Sequence, residues 1–327
     1  MKYIDLFGGI GGFSYGIKQA TEKNKGNGWN TKKHCKDGKY KPIINRGDGN
    51  GRGSYSNNRK WECVWYCDND KYAVQTYNKN YGTNYKATDI TTIGATDIPD
   101  HDLICGGFPC QTFSLAGSRK GFSDIRGTMF FEIMRIAKAK RTKYLFLENV
   151  KGLLNHNKGK TFTTILQTME KLGYEVEWMV LNSKFFGVPQ NRERVFIIGS
   201  LSGEPRPEIL PFREDAKEIP GVSQDKLSVF TQERKEFRTH KTEGTPTLKN
   251  RMGTGGNNVP MVHSLFPRLT KELRRLTPIE CERLQGFPDN WTEGVSDTQR
   301  YKQCGNAVTT NVIKSIVRRW NEKDNTL

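Results

Sequence analysis

Cys110 is the side chain whose surroundings best suit a nucleophile. It stands in the segment GGFPCQ, directly after a predicted strand from Leu103 to Cys105, and the proline before it restricts the backbone. Ligands of open α/β sheets gather beyond the carboxyl ends of strands, where a thiolate can add covalently to a substrate. A single cysteine is more often a small buried hydrophobic residue. The polar, glycine-containing stretch from Gln111 to Gly127 favours the chemical interpretation, because such a loop can close over a substrate.

A carboxyl group and two guanidinium groups follow on later predicted strands. Glu148 comes directly after the apolar run YLFL, where a carboxyl group is suited to donating a proton. Arg192 and Arg194 lie in QNRERV at i and i+2, so an extended chain places them on the same side. The alternative for this pair is a salt-bridged surface strand.

A glycine-rich turn near the N-terminus predicts a nucleotide-like ligand. The predicted strand from Tyr3 to Phe7 runs into GGIGG, and glycine allows a ligand to approach the backbone closely. Ser14 stands where a dinucleotide fingerprint has its third glycine, so an adenosine-type ligand without a pyrophosphate fits better. Asp68, directly after the second predicted strand, can accept hydrogen bonds from ribose hydroxyls. The alternatives are a tight turn and a solvated acid.

Alternating strands and helices must position these groups. Helical spacing of apolar residues occurs over 70–81 and 127–140, between the predicted strands. This alternation is typical of a doubly wound, mostly parallel α/β sheet with helices on both faces. From Leu201 to about His263 the sequence is rich in Pro, Glu, Lys and Gly and has little periodicity, which predicts a second, smaller domain. The predicted strands are 3–7, 63–67, 103–105, 144–147 and 195–198.

The charge of the chain favours a polyanionic partner. The 327 residues contain 52 Lys and Arg against 35 Asp and Glu, a formal net charge of +17. Between Glu22 and Lys60 there are 11 basic and 3 acidic residues in a Gly- and Asn-rich stretch. This composition predicts a flexible basic insertion. It is either surface decoration or an arm that contacts nucleic acid.

Membrane, secreted and metal-binding classes are disfavoured. No apolar run reaches the roughly 18 residues of a membrane span, and the N-terminus lacks a signal-peptide pattern. The 7 scattered cysteines are typical of reduced, intracellular thiols. A zinc site at His34, Cys35, Cys63 and Cys67 is an alternative, but core packing of one strand face explains the latter pair, so no metal is predicted.

Six motifs follow one another along the chain. They are DLFGGIGGFSYG, GGFPCQTFSLAG, LENV, QNRERVFIIG, RRLTPIECERLQGFPDNW and YKQCGNAVTTNV. In this order they resemble the motifs of the DNA (cytosine-5) methyltransferase family. The resemblance covers roughly residues 1–20, 61–200 and 245–325. It implies a doubly wound, Rossmann-like α/β domain that uses S-adenosylmethionine as cofactor, with a small target recognition domain.

The resemblance implies a reaction centre. By this match Cys110 adds to carbon 6 of cytosine, Glu148 hydrogen-bonds ring nitrogen 3 and the exocyclic amine, and Arg194 holds the carbonyl oxygen, with Arg192 beside it. The base must leave the duplex to be reached, which implies base flipping. The loop residues expected to contact DNA are Gln111, Ser114 and Arg126.

The resemblance also implies a cofactor pocket. Two positions depart from the family pattern and put cofactor affinity in question: Asn69 stands where relatives often carry an aromatic residue, and so does Cys304. The implied pocket residues are Phe7, Gly9, Ile10, Gly11, Gly12, Asp68, Asn69, Asp89, Ile90, Gly107, Pro109, Met129, Asn306, Ala307 and Val308.

The predicted organisation is a catalytic domain of residues 1–199 and 276–327, with a basic insertion at 22–60 and a target recognition domain at 200–275. Double-stranded DNA is the expected partner, in a cleft between the two domains. We further expect a cytoplasmic monomer of a prokaryotic or phage-infected cell. It would modify DNA either alongside a cognate restriction endonuclease, without a stable complex, or as an orphan or phage enzyme. The alternatives are a transfer-RNA cytosine methyltransferase, disfavoured by Phe108 before the Pro-Cys pair, and a catalytically silent DNA-binding protein.

Overall fold

The computed structural model describes residues 1–22, 60–109, 129–206, 209–210, 229–233, 236–240, 245–249, 261–263 and 273–324. Several predictions therefore lie outside the described residues. They are those on Cys110, Gln111, Ser114, Arg126, His34, Cys35 and most of the basic insertion.

A six-stranded sheet forms the centre of the fold. Its order is β2-β1-β3-β4-β7-β5, and β7 runs antiparallel to both of its neighbours while β2, β1, β3 and β4 are parallel. This confirms the predicted mostly parallel sheet. The strands are β1 (Lys2–Leu6), β2 (Glu62–Cys67), β3 (Leu103–Gly107), β4 (Tyr144–Val150), β5 (Tyr174–Asn182) and β7 (Glu193–Leu201), with the two-residue β6 (Gln190–Asn191) before β7.

Helices cover both faces of the sheet, as predicted. Alternate residues of a strand point to opposite faces, so Ile4 packs with helices α3 and α4 whereas Tyr3 packs with α1 and α7. The predicted helices 70–81 and 127–140 are confirmed as α2 and α3. The helices are α1 (Gly12–Thr21), α2 (Lys71–Tyr81), α3 (Met129–Lys140), α4 (Lys160–Lys171), α5 (Pro278–Leu284), α6 (Asp297–Asn306) and α7 (Thr310–Asp324).

Strand β5 is absent from the sequence-based prediction. It lies at the edge of the sheet, and Glu175 and Trp178 are exposed while Glu177 is partly buried. Such a strand shows no continuous apolar run, because only part of one face is covered. This edge position explains why the prediction missed it.

A second sheet lies within the region predicted as the smaller domain. Its antiparallel order is β12-β11-β8-β9, and a separate parallel pair joins β10 to β6. The strands are β8 (Val229–Glu233), β9 (Glu236–His240), β10 (Thr245–Pro246), β11 (Met261–His263) and β12 (Leu273–Arg275). The domain boundaries at 199/200 and 275/276 stay a prediction.

The order of the central sheet fixes where a ligand can bind. The chain passes from β1 to β2 on one side and then to β3 on the other, so the direction of winding reverses at β1. In open α/β sheets this reversal opens a crevice beyond the carboxyl ends of the strands. The glycine-rich turn follows β1, Asp68 follows β2 and Gly107 ends β3, so all three lie at the carboxyl ends of the parallel strands, beside this crevice. In the described part of the chain, no helix is long and apolar enough to cross a membrane.

Candidate active site

The turn after β1 uses its glycines in different ways. A side chain at Gly9, where φ is +54°, would meet no atom within 4 Å, so this position faces open space. A side chain at Gly11, where φ is +84°, would begin 2.5 Å from the ring of Tyr81, and one at Gly12 would begin 2.6 Å from Val308. Only at Gly9 does the structure leave room for the approaching ligand that the sequence predicts. Gly11 and Gly12 are required by the packing of the protein itself.

Asp68 is tied to the same turn. Its Oδ2 accepts from the Gly9 N–H at 2.9 Å and its Oδ1 from the Asp70 N–H at 2.8 Å. Burial raises the pKa of Asp68, and these two hydrogen bonds act in the opposite direction. A carboxylate has about four acceptor sites. It therefore keeps capacity for ribose hydroxyls while bracing the turn.

The remaining predicted pocket residues differ in their exposure. Asp89 is exposed and caps a short 3-10 helix by accepting from the N–H and hydroxyl of Thr91, which lowers its pKa. Asn69, Pro109 and Asn306 are exposed, Phe7 and Met129 are half-buried, and Ile10, Ile90, Ala307 and Val308 are buried. Phe7 has a φ of +54°, an uncommon value for a residue with a side chain.

Glu148 and Arg194 form an ion pair at the carboxyl end of β4. Arg194 Nε lies 3.0 Å from Glu148 Oε1, and the two side chains are 14% and 13% exposed. Glu148 opposes Gly107 across the β3–β4 ladder, and a side chain at 107 would begin 3.1 Å from Glu148 Oε2. Glycine at 107 therefore keeps the second carboxylate oxygen clear. The carboxyl and the guanidinium predicted from separate motifs are thus brought together.

Asn149, which the prediction gave no role, anchors the segment that leads to Cys110. The side chain is buried, and its Nδ2 donates to the Phe108 carbonyl at 2.7 Å. Its Oδ1 accepts from the Val150 N–H at 2.8 Å. The last described residue before Cys110 is Pro109, so this bond ties the approach to Cys110 to the strand that carries Glu148. The signal was present in the LENV motif, but the partner of an amide side chain is not visible in sequence.

Arg192 has different surroundings from Arg194. It is 2% exposed and donates to the carbonyl oxygens of Leu248, Gly305 and Ala307 at 2.8 to 3.1 Å. Burial lowers its pKa to about 9, and the charge of Arg194 adds to this shift. The predicted pair on one side of an extended chain thus separates into a partly exposed residue facing Glu148 and a buried one. The contacts of Arg192 are those of a positioning residue.

We expect Arg192→Met to lower the free energy of unfolding by about 3 kcal/mol, since it leaves three buried carbonyl oxygens without their donors. Urea unfolding followed by circular dichroism measures the change. Arg206→Met is the matched control: Arg206 pairs with Glu175 at 2.7 Å, but the side chains are 43% and 54% exposed. Its cost should be at most about 0.5 kcal/mol. Equal stability of Arg192→Met and the wild type would contradict the assignment.

The described residues contain no group of three or more His, Cys, Asp or Glu side chains arranged to hold a metal ion. Burial raises the pKa of Cys63 to about 11 and that of Cys67 to about 12. Their thiols therefore stay protonated at neutral pH, in keeping with core packing.

Comparison with known proteins identifies the family. The family model described as C-5 cytosine-specific DNA methylase matches residues 47–266 and 213–322. Type II methyltransferase M1.ScrFI of Lactococcus lactis subsp. cremoris is 40% identical over 311 residues, which cover 87% of this chain and 78% of that protein. Type II methyltransferase M.NlaX of Neisseria lactamica is 37% identical over 340 residues, which cover 96% and 94%.

The chain belongs to the C-5 cytosine-specific DNA methylase family. This methylase is an enzyme that acts on DNA, as its sequence predicts. Its fold matches the crystal structure of the S. pombe Dnmt2 methyltransferase with a TM-score of 0.65, covering 99% of both chains at 18% identity. That likeness concerns the fold alone and confirms the methyltransferase architecture.

Three aromatic residues of the methylase were missed by the sequence-based prediction. Tyr66, Tyr81 and Trp291 all contact the glycine-rich turn. Trp291 lies within the quoted FPDNW motif, but nothing local to that segment indicates contact with a turn 281 positions away. The two tyrosines lie within elements that the sequence predicts, but an aromatic residue in a strand or helix ordinarily indicates core packing.

Proposed function

We propose that the enzyme methylates carbon 5 of a cytosine that is flipped out of a specific duplex DNA site, with S-adenosylmethionine as methyl donor and Cys110 as covalent nucleophile. The observation that carries the proposal is the Glu148–Arg194 pair beside the end of β3. A carboxyl group and a guanidinium group are the complementary partners of the amidine edge and the carbonyl oxygen of cytosine. Cys110 follows Gly107 by three positions, in the segment anchored by Asn149.

The residues at the crevice beyond β1, where the winding of the sheet reverses, fit S-adenosylmethionine. That molecule has an adenosine but no phosphate, in keeping with the single open glycine at Gly9 and the carboxylate at Asp68. Asp68 would bind the ribose hydroxyls, with Asp89 and Ile90 toward the adenine. The other residues proposed to complete the pocket are Phe7, Ile10, Gly11, Gly12, Asn69, Gly107, Pro109, Met129, Asn306, Ala307 and Val308. When bound, S-adenosylmethionine supplies the methyl group as an electrophile.

The chain's own residues make the cytosine reactive. The Cys110 thiolate bonds to carbon 6, and the electrons of the 5,6 double bond move toward carbon 5. Glu148 holds a proton toward ring nitrogen 3 and accepts from the exocyclic amine, while Arg194 holds the carbonyl oxygen, so the developing charge is stabilised. After methylation, the carbon 5 proton passes to a water molecule, the electrons of that C–H bond re-form the 5,6 double bond, and the Cys110–carbon 6 bond breaks with its electron pair returning to the thiolate. Arg192 acts indirectly, by fixing the backbone around Ala307.

The described cysteines support Cys110 as the nucleophile. Burial raises the pKa of all five, Cys63, Cys67, Cys105, Cys281 and Cys304, so each is a thiol at neutral pH. A nucleophilic cysteine must reach the thiolate form. Cys110 remains the candidate, since it comes directly after Pro109 in the motif that follows β3.

DNA binding is proposed for the cleft between the catalytic domain, 1–199 with 276–327, and the target recognition domain, 200–275. The net charge of +17 supplies the sequence-independent attraction. Gln111, Ser114 and Arg126 contact the DNA around the flipped base. Type II relatives support a role in a restriction-modification system, with a cognate endonuclease for the same site, and we propose a cytoplasmic monomer.

The test is transfer of tritiated methyl groups from S-adenosylmethionine to mixed-sequence duplex DNA, followed by bisulfite sequencing. We expect label at cytosine in one repeated sequence context. Transfer RNA and single-stranded DNA serve as parallel substrates. Label on transfer RNA alone would replace the DNA substrate with an RNA one, and absence of label on every substrate would overturn the proposed reaction.

A further inference from the structure

The carbonyl oxygens of three consecutive residues in the glycine-rich turn are each held by an aromatic side chain. Tyr66 Oη donates to the Gly9 carbonyl at 2.7 Å, Trp291 Nε1 to the Ile10 carbonyl at 3.0 Å, and Tyr81 Oη to the Gly11 carbonyl at 2.9 Å. The donors come from β2, from the segment between α5 and α6, and from the last turn of α2. Elements distant in sequence therefore converge on one turn.

The aromatic donors are themselves rigidly packed. Tyr66 stacks on Tyr77 with ring centroids 3.7 Å apart, and Tyr77 stacks on Tyr81 at 4.4 Å. Trp291 packs against Phe287 at 5.1 Å. Side chains held by stacking lose little further freedom when they donate a hydrogen bond, so each contact can fix its carbonyl at low entropic cost.

The turn needs such restraint because of its glycines. Gly9 and Gly11 flank Ile10, and both have positive φ, at +54° and +84°. Glycine moves readily between several backbone conformations, so a Gly-Ile-Gly turn does not hold one conformation by itself. Rotation of any of these peptide groups would break its carbonyl contact and change the course of the turn. Anchoring the three carbonyls therefore holds the backbone of the turn, with its open position at Gly9, in one conformation.

We propose that Tyr66, Tyr81 and Trp291 are positioning residues that preorganise the glycine-rich turn for S-adenosylmethionine. The inference rests on the proposed function, because it concerns the affinity for that cofactor. Preorganisation raises affinity by removing the cost of ordering the site when the ligand binds. The effect should therefore fall on cofactor binding and spare the chemical step.

Two features of the aromatic donors support this role. Burial raises the pKa of both Tyr66 and Tyr81, so their hydroxyls stay protonated and keep donating over the whole working range of pH. Gly11 is itself shaped for the contact, since a side chain there would begin 2.5 Å from the Tyr81 ring. In the sequence, the glycine pattern suggests a ligand site. At Gly11, however, the absence of a side chain makes room for the ring of Tyr81.

The test compares Tyr66→Phe, Tyr81→Phe, the double variant and Trp291→Phe with the wild type. Isothermal titration calorimetry measures the Kd for S-adenosylmethionine in the absence of DNA. We expect each single variant to raise the Kd about 3-fold and the double variant about 10-fold. Steady-state kinetics should show the KM for S-adenosylmethionine raised in parallel, with kcat at saturating cofactor and KM for DNA within about twofold of wild type.

Tyr77→Phe is the matched control. Tyr77 belongs to the same stack, but its hydroxyl lies 3.5 Å from Ser14 Oγ and 3.5 Å from Cys63 Sγ rather than on a turn carbonyl. Its Kd for S-adenosylmethionine should stay within about twofold of wild type. Thermal unfolding of each variant checks that the fold is kept. If the double variant is unstable, the Kd of the single variant Tyr81→Phe still tests the inference, because Tyr81 is only half-buried.

Each outcome bears on a different conclusion. Unchanged affinity in the double variant would overturn the inference and leave the proposed function standing. An equal loss in Tyr77→Phe would also overturn it, because the stack rather than the carbonyl contacts would then set affinity. A wild-type protein that binds no S-adenosylmethionine would overturn the proposed cofactor, and this inference with it.

Discussion

Cys110→Ala is expected to lower kcat for methyl transfer by about 10⁴-fold or more, because carbon 5 of cytosine is a poor nucleophile until a thiolate adds at carbon 6. The loss should fall on the chemical step. The Kd for S-adenosylmethionine and the retention of DNA on a filter should change by about threefold at most, since alanine removes only the sulfur. Initial rates with tritiated S-adenosylmethionine measure the first effect.

Cys63→Ala is the control for cysteine loss as such. Cys63 is half-buried, and burial raises its pKa to about 11, so it has no part in thiolate chemistry. Its rate should stay within about twofold of wild type. DNA that contains 5-fluorocytosine adds a direct readout, since it has no carbon 5 proton to lose and should retain the covalent adduct. A Cys110→Ala protein that still forms this adduct would show that another residue is the nucleophile.

Glu148→Gln is expected to lower kcat by about 10³-fold. The substitution keeps the size of the side chain but removes the carboxyl group that hydrogen-bonds the ring of the base, and it replaces the ionic partner of Arg194, 3.0 Å away, with a neutral amide. The KM for S-adenosylmethionine should change little, because Glu148 lies at the end of β4, whereas the residues proposed for the ribose and the adenine, Asp68, Asp89 and Ile90, follow β2. Single-turnover rates separate the chemical step from DNA binding.

Glu193→Gln provides the matched control one residue from Arg194. The Glu193 carboxylate is 43% exposed and bonds to Lys151 Nζ at 2.9 Å, so its charge faces solvent rather than the pair. We expect its rate to stay within about threefold of wild type. The assignment of Glu148 fails if both variants lose activity to the same extent, or if Glu148→Gln keeps more than about a tenth of the rate.

Much of the fold was open to prediction because it is encoded locally. The apolar runs that became β1 to β4 and β7, and the helical spacing of α2 and α3, each depend on residues within a dozen positions. The prediction missed β5 because an edge strand is only partly covered, so Glu175 and Glu177 interrupt its apolar run. The pairing of β6 with β10 was also not predicted, because a two-residue strand has no periodicity to detect.

The groups proposed to react were likewise visible in sequence, whereas their partners were not. Glu148 and Arg194 were expected from their motifs, and the family match was confirmed. Their direct pairing depends on β4 and β7 being neighbours in the sheet. Arg192 differs most from expectation: its spacing suggested a second substrate contact, but the fold surrounds it with the carbonyls of Leu248, Gly305 and Ala307.

The sequence by itself determined the family, the alternation of strands and helices, and which residue types could do chemistry, because each is written in short contiguous motifs. Only the tertiary structure decided what those motifs touch. In the folded protein Gly11 packs against Tyr81 and Gly12 against Val308. The Ile10 carbonyl accepts a hydrogen bond from Trp291, which lies 281 positions away. Hydrogen-bond partners at such separations follow from the topology of the sheet, which places the carboxyl ends of β1, β2 and β3 side by side, and short-range patterns carry no record of it.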